Sequence, residues 1–175
     1  PNLSSGGTAK AEGKSMDVTV NGITGSYDAV QGLDLESGRV ITALDNEYRL
    51  NVCIVGPAVA KELFGNTQVL DETIRLSGRD YRIVGVLKEA QETMFGSTNK
   101  AVFVPFTNAQ RLFSVVSITN FYVTSEEGAQ TDEAEYTLER MLMDKYGSDD
   151  NYSIVNMTDI MDTIQDVMAT MELLL

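Results

Sequence analysis

Arg82-Ile83-Val84-Gly85-Val86-Leu87-Lys88, read together with Val52-Cys53-Ile54-Val55-Gly56-Pro57 before it, decides the fold of this chain. Val52 to Val55 is an uninterrupted apolar run, the pattern of a strand covered on both faces. Gly56-Pro57 stops it, and Pro57 suits a first helical position because its missing N–H would have had no intrahelical partner there. Val59, Leu63 and Phe64 then recur at helical spacing, and Gly65 supplies the residue that turns left-handed past a helix end. Thr73 to Leu76 and Tyr81 to Val84 alternate around Ser77-Gly78-Arg79-Asp80 and predict a hairpin. Ala101 to Phe106 predicts one more strand, with Pro105 at its end, where a lost donor does little harm.

Working outward, Asp17 to Val20 reads as a strand and Asn21-Gly22 as a turn, while the type of the Tyr27 to Leu35 segment is left open. Ser117 to Thr124 alternates as a strand. Thr131-Asp132-Glu133 caps a helix whose apolar stripe is Ala134, Leu138, Met141, Leu142 and Tyr146, and Gly147 ends it. Tyr152 to Val155 is expected to return as a strand, making a β-α-β crossover. Pro1 to Ser15 is small and polar and is expected to be flexible. Ile160, Ile164, Val167, Met168, Met171 and Leu175 fall near one face of a C-terminal helix, with Thr158 or Asp159 as its cap. That helix reads either as a stalk running toward a membrane or as an amphipathic helix packed on the domain's own core.

Composition narrows the function. The chain has 175 residues, 43% of them hydrophobic, enough for a proper core and too many for a disordered tail. No segment approaches the ~20 apolar residues of a membrane helix. The start at Pro1 rather than methionine, and the end in Met171 to Leu175, lead us to expect a piece cut from a longer protein. A net charge of −13 argues against nucleic acid, whose affinity comes from clustered Lys and Arg. An acidic surface serves either solubility or attraction of cationic peptides. Cys53 is single and sits in a buried-type strand, so it reads as inert.

No chemistry motif survives inspection. Gly7 through Gly13-Lys14-Ser15 mimics a phosphate loop, but the glycine spacing is one residue too long and no apolar strand precedes it. With no histidine, histidine triads and histidine metal sites are excluded. There is no Gly-x-Ser-x-Gly elbow. Asp149-Asp150-Asn151 lacks the alternating ligand spacing of a calcium loop. Glu89 with Glu92, and Glu126 with Glu127, would need burial before acid–base work. Arg39, Arg75, Arg79 and Arg82 read as ion pairs or exposed strand faces. No catalytic, cofactor or metal residue is assigned, and the chain reads as non-enzymatic. Met94 and Phe95, among turn residues, either offer an adaptable apolar contact to a partner or fold inward.

The ordered set of these pieces resembles the extracytoplasmic core domain of MacB-type, FtsX-like ABC transporter permeases. The matching residues are Gly38-Arg39, Val52 to Gly56, Val59-Ala60-Lys61-Glu62-Leu63-Phe64-Gly65, Thr73 to Leu76, Tyr81 to Val86, and Val102 to Phe106 leading into Gln110-Arg111-Leu112-Phe113. Two features depart from that pattern. No apolar first strand is evident near the N-terminus, and Val69-Leu70-Asp71-Glu72 stands where a proline-isoleucine-glycine turn is common.

The resemblance implies an α+β fold of two lobes. Residues 16–50 and 114–159 would form a porter-like β-α-β lobe, 51–113 a small β-rich inserted lobe, 1–15 a flexible lead, and 160–175 a helix leading toward a membrane helix. It implies a non-catalytic domain on the extracytoplasmic face of an integral membrane protein, relaying ATP-driven helix motion to an external substrate or partner. The implied partners are the membrane-embedded remainder of the permease and a cytoplasmic ATPase domain or subunit, with an adaptor or a cationic peptide as further candidates. No cofactor is implied. The alternatives are a stand-alone extracellular binding module and a sensor of antimicrobial peptides within an FtsX-like permease.

Overall fold

The structure, a computed structural model, describes residues 1–91, 97–114, 120–124 and 131–173. Its chain divides into two compact units, Pro1–Val123 and Thr124–Leu175.

The first unit is built on seven strands: β1 (Asn2–Ala11), β2 (Lys14–Ile23), β3 (Leu35–Gly38), β4 (Val52–Val55), β5 (Thr73–Leu76), β6 (Arg79–Leu87) and β7 (Ala101–Pro105). They lie in the order β3-β6-β4-β7-β2-β1-β5, and β5 also pairs with β6. The pairing therefore returns to β6, closing β6, β4, β7, β2, β1 and β5 into a ring. Closure leaves fewer exposed edges than an open sheet would offer to other chains, although β3 pairs only with β6. The described residues of this unit also form helices α1 (Tyr27–Gln31), α2 (Ala43–Glu47), α3 (Pro57–Phe64) and α4 (Phe106–Phe113).

Side chains alternate between two cores. All six ring strands send residues into one cluster, among them Val20, Cys53, Ile74, Tyr81 and Val102, which α3 completes with Val59, Ala60 and Leu63 and α4 with Phe106 and Ala109. The opposite face of β4, β6 and β7 carries Ile54, Val84, Leu87 and Phe103, covered by Ile41, Leu33, Leu35 and Tyr27. This two-sided burial is why Val52 to Val55 has no polar residue.

The alternation in β6 breaks at one place. Cys53 pairs with Ile83 but Ile54 pairs with Gly85, so Val84 is the extra residue of a bulge. Ile83 and Val86 then face the ring interior while Val84 and Leu87 face the outer core. Gly85 is required there because a Cβ would stand 2.7 Å from the Arg39 carbonyl oxygen.

Three expectations are corrected in this unit. Residues 1–15 are not a flexible lead: Asn2–Ala11 is β1, paired along its full length with β2. Its polar look has a physical cause. Leu3, Gly7, Ala9 and Ala11 face inward, and after Leu3 these positions carry only small groups; a Cβ on Gly7 would already meet Val20 at 3.1 Å. A first strand, which was not evident as an apolar run near the N-terminus, is thus present in polar form. Asn21-Gly22 is not a turn but lies inside β2, and Gly22 is small because a Cβ would stand 2.2 Å from Ala109 of α4. Finally, no lobe boundary falls at Leu50: β2 runs parallel to β7, pairing Thr19 with Ala101 and Gly22 with Val104, so residues assigned to two lobes share one ring.

The second unit holds α5 (Thr131–Tyr146) and α6 (Met157–Leu173), with a short 3-10 turn at Asp149–Asn151 between them. Gly147 takes φ 70° and its N–H bonds back to Met143, the left-handed stop expected of it. The returning strand at Tyr152 to Val155 does not form. Tyr152 instead sets its ring 6.3 Å from that of Tyr146. Of Ser117 to Thr124, residues 117–119 lie outside the described residues, Asn120 makes a single bridge to Asn2, and Phe121 to Thr124 form no strand. Hence the β-α-β crossover expected through the 131–146 helix is not formed among the described residues. The cap of α6 is Asn156, whose side chain accepts from Thr158 N–H at 3.0 Å, rather than Thr158 or Asp159.

Candidate functional site

The first unit offers rigid attachments rather than reactive groups. The loop after β3 is held by Arg39 and Asp45. Arg39 Nη1 and Nη2 donate to Asp45 Oδ2 and Oδ1 at 2.6 and 3.0 Å, a bidentate pair in which Asp45 is 2% exposed and Arg39 45%. Thr42 caps α2 reciprocally: its backbone N–H and hydroxyl donate to Asp45 Oδ2, and its hydroxyl accepts from Asp45 N–H. Burial alone would raise the Asp45 pKa, but hydrogen bonds from Arg39 and Thr42 hold it below the ordinary carboxylate value. Gly38, at φ 85°, lets this loop reach the sheet, since a Cβ would stand 2.2 Å from the Val84 oxygen.

A second attachment closes the base of the loop between β6 and β7. Asn99 accepts from Ala90 N–H at 2.8 Å and donates to Ala90 O at 2.7 Å, so its side-chain amide pairs with the backbone as another strand would. The Thr98–Lys100 3-10 turn rests on Gly56, where a Cβ would stand 2.3 Å from the Thr98 and Asn99 oxygens. The loop carries Met94 and Phe95, which lie outside the described residues.

The residues weighed for chemistry take structural places. Arg75 pairs with Asp80, Arg82 with Asp71 and Lys61 with Glu89, all exposed. Arg79 is exposed, with no partner among the described residues. Glu92, Glu126 and Glu127 lie outside the described residues. Asp149 and Asp150 sit in an exposed turn in which the Ser148 hydroxyl accepts from Asp150 N–H. Cys53 is fully buried, which pushes its thiol far above the usual range. The Tyr81 hydroxyl is buried without a hydrogen-bond partner among the described residues. Among the described residues no three His, Cys, Asp or Glu side chains gather to hold a metal ion.

In the second unit, α6 carries Met157, Ile160, Met161, Ile164, Val167, Met168 and Met171 on one face, with Asp159, Asp162 and Asp166 opposite. The apolar side is open to solvent: Val167 is 54% exposed and Met168 64%. No helix among the described residues is long and apolar enough to cross a membrane.

The ring of mixed strands, followed by an acidic helical unit, has counterparts among known proteins. Residues 1–141 match the MacB-like periplasmic core domain. The chain belongs to that family. It is 31% identical over 165 residues to the ABC transporter permease YknZ of Bacillus subtilis (strain 168), covering 93% of this chain and 41% of YknZ. It is 27% identical over 176 residues to the macrolide export ATP-binding/permease protein MacB of Neisseria gonorrhoeae, covering all of this chain and 27% of that protein. The chain thus spans less than half the length of these relatives. The crystal structure of the extracellular domain of YknZ from Gram-positive bacteria superposes with a TM-score of 0.73 at 27% identity, covering 89% of this chain and 79% of that one. The periplasmic region of MacB from Actinobacillus actinomycetemcomitans gives 0.74 at 25% identity, covering 94% and 74%. The chain is therefore an extracytoplasmic α+β domain similar to those of MacB-like ABC transporter permeases.

Missing from the sequence reading were the polar strand β1 and the ring closure. A signal for β1 existed in Leu3, Ser5, Gly7, Ala9 and Ala11, alternating small or apolar residues with Ser4, Gly6, Thr8 and Lys10. Nothing local signals that β5 pairs on both sides.

Proposed function

We propose that this domain is a non-catalytic lever on the outer side of the membrane, carrying motion produced by ATP hydrolysis elsewhere in its transporter to an external substrate or partner. The observation that supports this most is the pairing of a closed, doubly packed ring with a separate helical unit ending in the open apolar face of α6. A lever needs a body that does not deform and an arm that couples to something else. The relatives' names, an ABC transporter permease and an ATP-binding/permease protein, supply the motor: a membrane part and an ATPase domain or subunit.

The experiment uses the full-length permease with its ATPase in membranes, in a Cys53→Ala background. Single cysteines at Met168→Cys on α6 and Ser4→Cys on the ring are labelled with a thiol reagent in nucleotide-free and ATP-analogue states. The expected result is a nucleotide-dependent labelling rate at Met168→Cys and an unchanged rate at Ser4→Cys. Identical rates at Met168→Cys in both states would count against the lever.

A further inference from the structure

The seam that closes the ring carries an unusual charge arrangement. β5 meets β1 through only two residue pairs, Ala9 with Leu76 and Lys10 with Arg75. Ala9 and Leu76 are buried in the interior, whereas Lys10 and Arg75 are exposed on the outside. Followed sideways, one row crosses four strands: Ser15 on β2 opposite Lys10, Lys10 opposite Arg75, and Arg75 opposite Asp80 on β6.

Like charges directly opposed across strands are destabilising, and here they make up half of the closing register. Arg75 commits Nε and Nη2 to Asp80 at 2.7 and 3.1 Å, leaving Nη1. The Lys10 ammonium has no acceptor among the described residues. The row borders a hollow of about 480 Å³ whose wall includes Lys10, Ser15, Thr73 and Arg75, together with the carboxylates of Glu12 and Asp80. Lys14, at its rim, reaches away to the Glu62 carbonyl oxygen at 3.1 Å. Within a chain of net charge −13, cations are thus opposed at the seam with donors to spare.

We propose that this hollow binds a phosphate-type oxyanion between Lys10, Arg75 and the hydroxyls of Ser15 and Thr73, and that its occupation strengthens the ring closure. A tetrahedral oxyanion accepts from several directions at once, and these donors come from β1, β2 and β5. Lys10 supplies a point charge, a common phosphate partner, and Arg75 keeps one free nitrogen. Asp80 is already satisfied by Arg75, so it competes little. An anion between Lys10 and Arg75 turns their repulsion into two attractions, which couples binding to closure of the seam. The site differs from a phosphate loop because side chains on strands, not backbone amides at a helix start, provide the donors. The phosphate is either free or esterified, or it is the headgroup of an anionic lipid on the outer side of the membrane.

The test follows thermal unfolding and backbone amide shifts of this chain during titration with sodium phosphate, against sodium chloride at matched ionic strength. Wild type is expected to gain thermal stability in phosphate, with shifts concentrated at Lys10, Ser15, Thr73 and Arg75. Lys10→Gln is expected to start at an equal or higher Tm, because the repulsion is gone, and to bind phosphate about tenfold more weakly or worse. Ser15→Ala, which keeps the charges, is expected to fold normally and lose affinity severalfold. Equal phosphate responses in wild type and Lys10→Gln overturn the proposal, as does a lower starting Tm of Lys10→Gln with an intact response. Flotation with phosphatidylglycerol vesicles, but not phosphatidylcholine, at the same ionic strength identifies the lipid as the source when Lys10→Gln abolishes it. A phosphate response without flotation identifies free or esterified phosphate, and neither response overturns the site.

Discussion

The ring unit and the helical unit differ in how they spend the same alphabet. Pro1–Val123 carries 13 acidic and 11 basic residues, whereas Thr124–Leu175 carries 13 acidic and 2 basic. In the first, large apolar side chains are mostly out of solvent on both sheet faces; in the second, Met141, Met157, Met161, Met168 and Met171 are exposed. The net charge of the chain therefore resides almost entirely in the helical unit. In the lever proposed above, the ring would be the body, with most of its large apolar groups buried, and the helical unit the arm, with charge and apolar surface left available.

The sharpest test of that contrast is a cavity in the ring. Leu63 of α3 is fully buried among strand residues. Leu63→Ala is expected to cost about 2–5 kcal/mol in denaturant unfolding, from lost burial and incomplete collapse around the gap. A cost near zero would mean that α3 is not part of a close-packed interior.

Next in size is the clasp at Gly56. Its would-be Cβ meets two backbone oxygens at 2.3 Å, and backbone yields less easily than a flexible side chain. Gly56→Ala is expected to destabilise by about 1–3 kcal/mol and to raise hydrogen exchange at Ala90, whose N–H depends on Asn99. Destabilisation without faster exchange at Ala90 would separate the glycine from the loop base.

The Arg39–Asp45 attachment gives a smaller effect with a pH signature. Because Arg39 is partly exposed, Asp45→Asn is expected to cost about 1–2 kcal/mol rather than the larger loss of a fully buried pair. The folded-state pKa of Asp45 is depressed, so its contribution is present above the unfolded value of about 4 and is lost as pH falls through the folded value. Asp80, lowered by its hydrogen bond from Arg75, acts in the same direction. Stability measured from pH 6 down to pH 2 should thus fall less steeply in Asp45→Asn than in wild type; parallel curves would remove Asp45 from the acid limb.

These residues also show what could be read in advance. Val52 to Val55, the Pro57 helix start, Gly65 and the hairpin around Ser77-Gly78 were legible because each depends on neighbours in sequence, and all occur. β1 was misread because composition was weighed over period: a strand facing a cramped interior uses glycine and alanine, which look like a linker. The lobe boundary failed for a different reason. Whether Thr19 lies beside Ala101 depends on long-range pairing that no local pattern encodes. Tyr152 to Val155 has strand composition, but it forms no strand, and the Tyr152 ring lies beside that of Tyr146 on α5. Of the candidate site, the apolar stripe of α6 was visible from its spacing, and the seam at Lys10 and Arg75 was not, because the two residues meet only through closure.

The smallest expected effect is the most informative about the arm. Along α6 every described side chain from Met161 to Met168 is exposed, so removing one takes away little buried area. Met168→Ala in this chain is expected to change stability by no more than about 0.5 kcal/mol, despite deleting a large apolar group. The same substitution in the full-length permease should cost more, because an apolar face kept open in the domain is of use only if something covers it in the assembly. Measured together, a negligible change in the domain and a clear loss of thermal stability in the detergent-solubilised transporter would locate that cover outside this chain. If the domain alone loses about 2 kcal/mol or more, the size of a core truncation, then α6 is packed like the ring and the contrast between body and arm fails.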